Sequence, residues 1–596
     1  MIELFGFLIA TGTALWLGAV VRRCAPAIGA VVPPRPDRWH TNPTPTMGGI
    51  AIALGTVAGF AAIAVTPESA AVTTAWPAVL MAALTMSVVG MFDDRLQLSP
   101  VAKLVSSLAI GAFLVFALTG SEPAAALPTS YTLIGTIWFA GVCHALNLLD
   151  NMDGLAAGVA LIAALFLAAL LGQTLGPALV LMLVALAGAL AGFLYWNRPQ
   201  ARLFMGDCGS LFIGALLGGA SLVPVFNQRV AFVSPAVLVM LILVVPLFDT
   251  GFVLVLRRLA GRSATKGGTD HVSHRIVSLG FSERSAVRIL YGLGVVGGLT
   301  AWALSALSTV EPMPILAVFA VVVILIGIYL ARVPAYNKQD FVALQKSSFA
   351  PLLKDLAFKW HAGEVLLDLV LITVCYYAAY RLRFDEGREL DIFLRYFTVS
   401  LPVVLGCKLA ALYSSGLYQR SWDTFGLRDL GAVARGVGAG SLLTVAASYY
   451  LYRGEGFSRV VFVLDGLLLT AAIVATRASF RTMNLVAATR NKRSRRVLVY
   501  GAGKYGQLLV REMRANTAWH MNPMGFIDDD PLKTRRWIVG VPVHGSIEHL
   551  EATMRRFDIE EVVLSSPSIN GSVEHRIREV CAMLKRPVRR LRMEIT

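Results

Sequence analysis

Apolar runs of about twenty residues recur from residue 2 to residue 480, each long enough to cross roughly 30 Å of hydrocarbon at about 1.5 Å per residue. The pattern predicts spanning helices near 2–20, 48–66, 76–92, 101–119, 131–149, 155–173, 177–196, 209–226, 233–256, 286–308 and 313–332. A polar linker over 333–359 follows, and then four further spans near 361–380, 392–413, 430–451 and 460–480. From residue 481 onward short β-branched strands alternate with charged helices, the pattern of an α/β domain in water. The expected fold is a polytopic α-helical membrane protein with about 15 transmembrane helices, eleven plus four, and a C-terminal cytoplasmic α/β domain. Its domains are expected at 1–332 and 360–481 in the membrane, with 333–359 a cytoplasmic linker and 482–596 the α/β unit.

Composition narrows this further. With 56% hydrophobic and 15% charged residues, the chain has too little polar material to coat a soluble globule of its size. Glu3 precedes the first apolar run and Arg22 and Arg23 follow it, the reverse of a cleavable signal peptide, so the N-terminus is expected outside. With that start, Arg229 is the only basic residue on the outer side of the first eleven spans. Arg22, Arg23, Arg35, Arg38, Arg95, Lys103, Arg198, Arg202, Arg257, Arg258, Arg262, Lys266 and Arg275 all fall inside. The second block runs against the rule, since Arg381, Arg383, Arg388, Arg453 and Arg459 would lie outside if four spans return the tail to the cytoplasm. A formal charge of +16 follows from this membrane orientation, and no nucleic-acid partner is expected. The six scattered cysteines form no CxxC pair, which predicts free thiols and no zinc site.

The acids then fall into a pattern. All eight aspartates before residue 333 (Asp37, Asp93, Asp94, Asp150, Asp153, Asp207, Asp249, Asp270) are expected on the cytoplasmic side. Helix capping accounts for Asp37 or Asp270 taken alone, and both are expected to be ordinary loop residues; it does not account for the adjacent pair in GMFDDRLQLSP, whose carboxylates repel without a cation. Asp150 and Asp153 in HALNLLDNMDGLAAG share a face if that segment is helical. Asp207 in RLFMGDCGSLFIGALL opens a helix, where Gly206 and Gly209 allow close backbone approach. Asp249 lies about eight residues, roughly 12 Å, inside the basic flank Arg257 and Arg258, a depth that calls for a wet cavity or a partner. Oxygen ligands of this kind suit Mg²⁺, with Mn²⁺ as a substitute, and so imply a phosphate-bearing substrate. ATKGGTDHVSHRIVSLGFS adds Lys266, His271, His274 and Arg275 as donors for a diphosphate.

The motifs TNPTPTMGG, FDD, NLLDNMDGL, FMGDCGS, PLFD and the histidine loop, in this order over residues 1–332, resemble the polyprenyl-phosphate N-acetylhexosamine-1-phosphate transferase superfamily. The resemblance implies that polyprenyl phosphate attacks the β-phosphorus of a UDP-N-acetylhexosamine, releasing UMP in a bacterial inner membrane. It implies Mg²⁺ on Asp207 and Asn147, and Asp93 orienting the lipid phosphate with Asp94 beside it and Lys103 neutralising charge. Asp150 and Asp153 would shape the nucleotide site. Thr44, Thr46, His271, His274 and Arg275 would meet diphosphate or sugar. A homodimer is expected at the level of the family. His144 stands where many members carry Asn, and HVSHR replaces adjacent histidines, which points toward the GlcNAc-type enzymes.

The tail carries SRRVLVYGAGKYGQLL, a strand, a GxGxxG turn at Gly501, Gly503 and Gly506, and a helix, with Asp528 ending the next strand. This is a Rossmann-like pattern that would hold NAD(P) or another nucleotide. The block from about 350 resembles the membrane and first nucleotide-binding-type region of polysaccharide-biosynthesis nucleotide-sugar dehydratases. Without a second glycine fingerprint or a placed catalytic Tyr and Lys, a regulatory role or docking of other glycan-synthesis proteins is expected of it. A dehydratase or epimerase and a transporter of lipid-linked sugars are the competing readings; neither requires the ordered carboxylate motifs.

Overall fold

The computed structural model describes residues 2–33, 43–64, 75–119, 129–172, 177–226, 234–259, 268, 270–306, 312–331, 356–384, 388–419, 426–452, 458–490, 495–515, 519, 521–534, 536–565 and 571–590. Asp37, Lys266 and most of the expected linker, 333–355, lie outside them. The chain divides into two units near Thr476.

The first unit opens with α1 (Ile2–Cys24), α2 (Gly49–Ala64), α3 (Ala75–Leu96), α4 (Pro100–Thr119), α5 (Thr129–Leu149), α6 (Leu155–Gly172), α7 (Pro177–Asn197) and α8 (Asp207–Phe226). It continues through α9 (Pro235–Ile242), α10 (Val244–Leu259), the short α11 (Val272–Ser278), α12 (Glu283–Ala306) and α13 (Pro312–Ala331). Four long helices follow: Leu356–Arg383, Arg388–Ser414, Leu427–Tyr452 and Arg459–Arg490, the last running on into the second unit. Among the described residues thirteen helices have the length and apolar content to cross a bilayer. One bent pair, α9 with α10, and the shorter apolar α2 account for the remaining expected spans. The protein is a multi-pass membrane protein.

Helix α8 is the most enclosed span, 94% of its apolar window being buried, and α2, α3, α4 and α5 pack around it. Its first residue, Asp207, is therefore presented at the end of a rigid central rod.

The expected single span over 233–256 is instead broken, with α9 and α10 meeting at 80°. Pro246 has no N–H to return to the carbonyl four residues back, Ile242, which is where α9 stops. The break turns Asp249 toward the bundle interior, where it is 1% exposed.

Within the four later helices the Lys408 ammonium is ion-paired with Asp465, both side chains being fully buried. Tyr376 bonds Ser400 Oγ at 2.9 Å and Tyr380 at 3.2 Å. Inside a bilayer such pairs tie helices together, because neither charge can be left alone in hydrocarbon.

The second unit is built on a parallel sheet ordered β2 (Met521–Ile527), β1 (Arg495–Tyr500), β3 (Glu561–Leu564), β4 (Val588–Arg590). One cluster, with Leu498, Ile527, Val562 and Ile577, covers one face, and another, with Val497, Val499, Val510 and Phe526, covers the other. The buried runs on both faces explain why these strands read as continuous apolar stretches.

Candidate active site

The loops between the spans converge at one end of the first bundle. At its centre Lys103, from the first turn of α4, reaches two carboxylates at once: Nζ donates to Asp93 Oδ2 at 2.6 Å and to Asp207 Oδ2 at 3.1 Å. Asp93 sits on α3 with its side chain 6% exposed, whereas that of Asp207 is 31% exposed and opens toward solvent. Asp94 faces the other way. Its Oδ1 and Oδ2 accept the backbone N–H groups of Asp207 (2.8 Å) and Cys208 (3.2 Å), capping α8 with a charge that its helix dipole favours. The adjacent pair of the FDD motif thus splits in function, one carboxylate facing the site and the other fixing the helix that carries Asp207.

Backbone closeness makes this possible. Gly206 adopts φ of 74°, and a Cβ on it would lie 2.6 Å from Asp94 Oδ2 and 2.9 Å from Thr46 Oγ1. The Thr44–Pro45 strand pairs with Val31–Val32, and Pro45 O and the Gly48 and Gly49 N–H groups bond Phe204 and Met205, locking the TPTMGG segment onto FMGD. Thr44 and Thr46 are both buried. Asn147 lies at the end of α5, and its Nδ2 donates to Ser210 Oγ at 2.9 Å, which sets the carboxamide beside the start of α8.

Asp150 and Asp153 do not share a helical face. Residues 150–154 form a turn between α5 and α6, stopped by Gly154 at φ 78°. Asp150 is half-buried in that turn. Asp153 Oδ2 accepts from the N–H groups of Gln200 (3.1 Å) and Ala201 (2.8 Å). Asn197 was not singled out from the sequence, yet it closes the same loop, being 2% exposed, accepting from Gly154 N–H at 3.1 Å and donating to Leu203 O at 3.1 Å. Its signal was present: a polar residue at the end of an otherwise apolar helix, just before the Pro-containing run that leads to Asp207.

The histidine loop joins this group through Ser273, whose Oγ donates to Asn151 Oδ1 at 2.7 Å. Of the two settings that its depth calls for, Asp249 has the partner. It holds His271 Nδ1 at 2.8 Å and accepts Val272 N–H at 2.8 Å, so it caps α11 and fixes the His271 ring. Asp270, expected as an ordinary loop residue, makes a buried bidentate pair with Arg257, both contacts 2.7 Å. Arg275 differs most from expectation. Buried at 2%, it donates to Asp270 O (3.1 Å), Leu330 O (3.0 Å) and Ala331 O (3.4 Å), fastening the loop to the last carbonyls of α13 rather than to an open anion site. Burial, with His271 close by, holds the His274 imidazole down at about 4, so it is neutral at physiological pH.

These partners give a measurable expectation. Asp249→Ala orphans the buried Val272 N–H, which should loosen α11 by about 1–3 kcal/mol and speed amide exchange over residues 272–278, while exchange in α8 stays unchanged. The His274 pKa is depressed on folding, so its contribution is present above the unfolded value of 6.5 and is lost as pH falls toward 4. Protection of α11, corrected for intrinsic exchange, should fall in that window in wild type; equal protection at both ends of it would contradict the burial.

An apolar cleft of about 320 Å³ lies at the α9–α10 break, lined by Met240, Leu241 and Val244 and by Phe319, Val323 and Ile324 of α13. It suits a hydrocarbon chain.

The geometry so far is of carboxylates around an ammonium, facing water at the end of a membrane bundle. Comparison with known proteins matches residues 76–225 to the family described as glycosyl transferase family 4. A Bacillus subtilis protein, "Probable undecaprenyl-phosphate N-acetylglucosaminyl 1-phosphate transferase", is 31% identical over 303 residues, half of this chain and 83% of that one. The chain belongs to glycosyl transferase family 4. As a member it is a phospho-sugar transferase. The Mycobacterium tuberculosis "Decaprenyl-phosphate N-acetylglucosaminephosphotransferase" is 32% identical over 46% of this chain and 74% of its own. The matched stretch holds Asp93, Asp94, Lys103, Asn147, Asp150, Asp153, Asn197 and Asp207, so the family's own region contains the convergent core of the site.

A second model, a CoA-binding domain, matches residues 413–588 of the transferase. Staphylococcus aureus "Capsular polysaccharide biosynthesis protein CapD" is 22% identical over 36% of each chain. The fusion read from the sequence is therefore present. In the second unit, β1 leads into the Gly501 turn and the helix Lys504–Ala515 as expected. One donor of the turn is used internally, however: Ala502 N–H donates to Asp528 Oδ2 at 2.6 Å, and Lys533 Nζ, from outside the turn, binds both Asp528 oxygens at 3.2 and 3.3 Å. Tyr500 OH bonds Asp529. Asp528 thus takes an N–H of the glycine turn, the kind of donor a diphosphate of CoA or NAD(P) would use, so Gly501, Gly503, Gly506 and Asp528 do not fit that cofactor as arranged.

Proposed function

We propose that the transferase moves N-acetylhexosamine-1-phosphate, of the GlcNAc type, from a UDP-sugar to undecaprenyl phosphate on the cytoplasmic face of a bacterial inner membrane, initiating a lipid-linked envelope glycan. The observation that carries this reading is Lys103 held between Asp93 and Asp207, with Asp207 opened to water. Among the described residues no three His, Cys, Asp or Glu side chains form a ready-made metal cage. That suits Mg²⁺, which binds through one or two carboxylates and completes its shell with water and substrate phosphate. Asp207 and the Asn147 carboxamide oxygen would hold it, and it would neutralise the diphosphate as UMP leaves.

The remaining work falls to the chain itself. An oxygen of the lipid phosphate attacks the β-phosphorus, and the bond from that phosphorus to the oxygen bridging to UMP breaks. The lipid phosphate is already largely ionised near neutral pH, so Asp93 and Lys103 act by placing it rather than by removing a proton. Asp153 and Asn197 hold the loop before Asp207, and Asp94 holds the helix that begins with it. Asp249 presents His271, whose Nε2 faces the diphosphate. Met240, Leu241 and Phe319 shelter the isoprenoid.

Purified transferase with undecaprenyl phosphate, Mg²⁺ and a panel of UDP-sugars should release UMP fastest from UDP-GlcNAc, and chelation should stop it. Silence on every sugar would overturn the reading. Residues 1–332 are proposed to form the catalytic domain and 482–596 a docking module, so deleting 485–596 should leave UMP release within about threefold, well below the effect of losing a reacting group. Complete loss in a variant that still elutes as a folded protein would instead assign the tail to the reaction.

A further inference from the structure

Three exposed guanidiniums stand together at the paired ends of α1 and α7, outside the carboxylate site. Trp196 is wedged against α1, its Nε1 donating to Leu15 O at 3.0 Å, at a place where a Cβ on Gly18 would lie 2.6 Å from the indole. The Arg22 guanidinium lies 5.6 Å from the centre of that ring. The Tyr195 ring meets Trp196 edge-on at 5.0 Å and carries two more, Arg198 at 5.3 Å and Arg202 at 5.8 Å. The backbone of this loop is fixed as well: Arg202 N–H donates to Trp196 O at 2.8 Å and Arg198 N–H to Leu194 O at 3.0 Å.

Helix C-termini attract arginine, and that accounts for a positive charge at Arg22 and at Arg198, at the ends of α1 and α7. It does not account for three guanidiniums held against two contiguous rings, with Arg23 exposed beside them. Among the described residues no salt bridge joins Arg22, Arg198 or Arg202 to an acid. Asp153, the acid held against this loop, has its Oδ2 turned to the backbone of Gln200 and Ala201. A guanidinium held over a ring by cation–π attraction keeps N–H donors available to an anion, and its planar fork matches a phosphate bidentately. The rings are Trp and Tyr at the ends of spanning helices, the side chains that settle at the headgroup level, and Trp16, 66% exposed on the same helix as Arg22, continues the belt.

We propose that Arg22, Arg198 and Arg202, backed by Trp196 and Tyr195, form a headgroup site for an anionic phospholipid of the surrounding leaflet. The occupant is a phosphodiester lipid rather than a soluble phosphate, because the cradle lies at the end of α1, whose Leu8, Leu15, Trp16 and Val20 are exposed along the span, so acyl chains run down α1 as the phosphate meets the arginines. The site is separate from the Lys103 centre and involves none of the residues assigned to the reaction.

Native mass spectrometry of the full-length protein, released from micelles carrying phosphatidylglycerol and phosphatidylcholine in equal amounts, tests this. Wild type should retain phosphatidylglycerol in preference, by at least fivefold. Arg22→Gln/Arg198→Gln/Arg202→Gln should lose the preference, and the triple Arg→Lys variant should keep only part of it. Arg288→Gln, an exposed arginine on α12, serves as the control that leaves it intact. Raising salt should weaken retention. Equal retention by wild type and the glutamine variant overturns the proposal. Displacement of the lipid by millimolar glycerol phosphate overturns the lipid assignment. The three side chains are exposed, so the variant's elution and thermal midpoint should match wild type; if they do not, Arg198→Gln/Arg202→Gln alone gives the same comparison.

Discussion

Asp207→Asn should lower UMP release by about 10²- to 10³-fold without unfolding the protein, the loss expected when one preorganised charge is removed from a reacting centre. The substitution keeps the shape of the side chain. It also leaves the backbone N–H of residue 207 on Asp94 Oδ1, so the start of α8 stays where it is. What changes is charge. Lys103, now shared between Asp93 and Asp207, would be drawn to Asp93 alone, and the open carboxylate best placed for a divalent cation would be gone. The defect should therefore fall on kcat and on the Mg²⁺ concentration needed for half-maximal rate, with the KM for the UDP-sugar moving less. Asp94→Asn gives a contrasting result, since that carboxylate faces backbone donors. Its loss should appear as a lower thermal midpoint together with lower activity. An Asp207→Asn protein that turns over within threefold of wild type at the same Mg²⁺ would remove Asp207 from the reaction.

The spans were legible because bilayer thickness imposes one length on every crossing, and that length is visible as an apolar run. The break in the ninth was legible too, in Pro246, but a proline in an apolar run is common in membrane helices and does not announce an 80° turn by itself. The site was legible as residue types and order. Its division of labour was not, because that depends on contacts between distant stretches of chain: Asp94 meets Asp207 across 113 positions, Lys103 meets Asp207 across 104, and Ser273 meets Asn151 across 122. Nothing local distinguishes Asp93, which faces the lysine, from Asp94, which caps a helix. Arg275 shows the same difficulty, being basic and near the histidines in sequence while its donors go to the end of α13. In the tail the glycine fingerprint predicted the strand, turn and helix correctly, but Asp528 occupies the turn instead of awaiting a ribose.

A substitution at Gly90, remote in sequence from Asp207, should test the architecture most severely. On α3, one turn before the carboxylate pair, a Cβ at this position would lie 2.3 Å from the backbone oxygen of Asp207 and 2.5 Å from Cys208 Cα. Those are main-chain atoms at the head of the most enclosed helix, so no flexible side chain can yield. Either α3 and α8 separate or α8 shifts along its axis. In an open helical position Gly→Ala stabilises by up to about 1 kcal/mol. Here the sign should reverse, with overpacking costing about 1–3 kcal/mol. The catalytic effect should exceed the thermodynamic one, because Asp93 lies on the helix being pushed and Asp207 on the helix pushing back, and a misplacement near 1 Å can cost about 10²-fold. Gly12→Ala on α1 is the matched control, since a Cβ there has nothing within 4 Å. Thermal unfolding and UMP release of the two variants side by side separate the cases: Gly12→Ala should equal or exceed wild type in both, while Gly90→Ala should fall in both. Were Gly90→Ala as stable and as active as wild type, α3 and α8 would not be in the contact that brings Asp93 and Asp207 to one lysine.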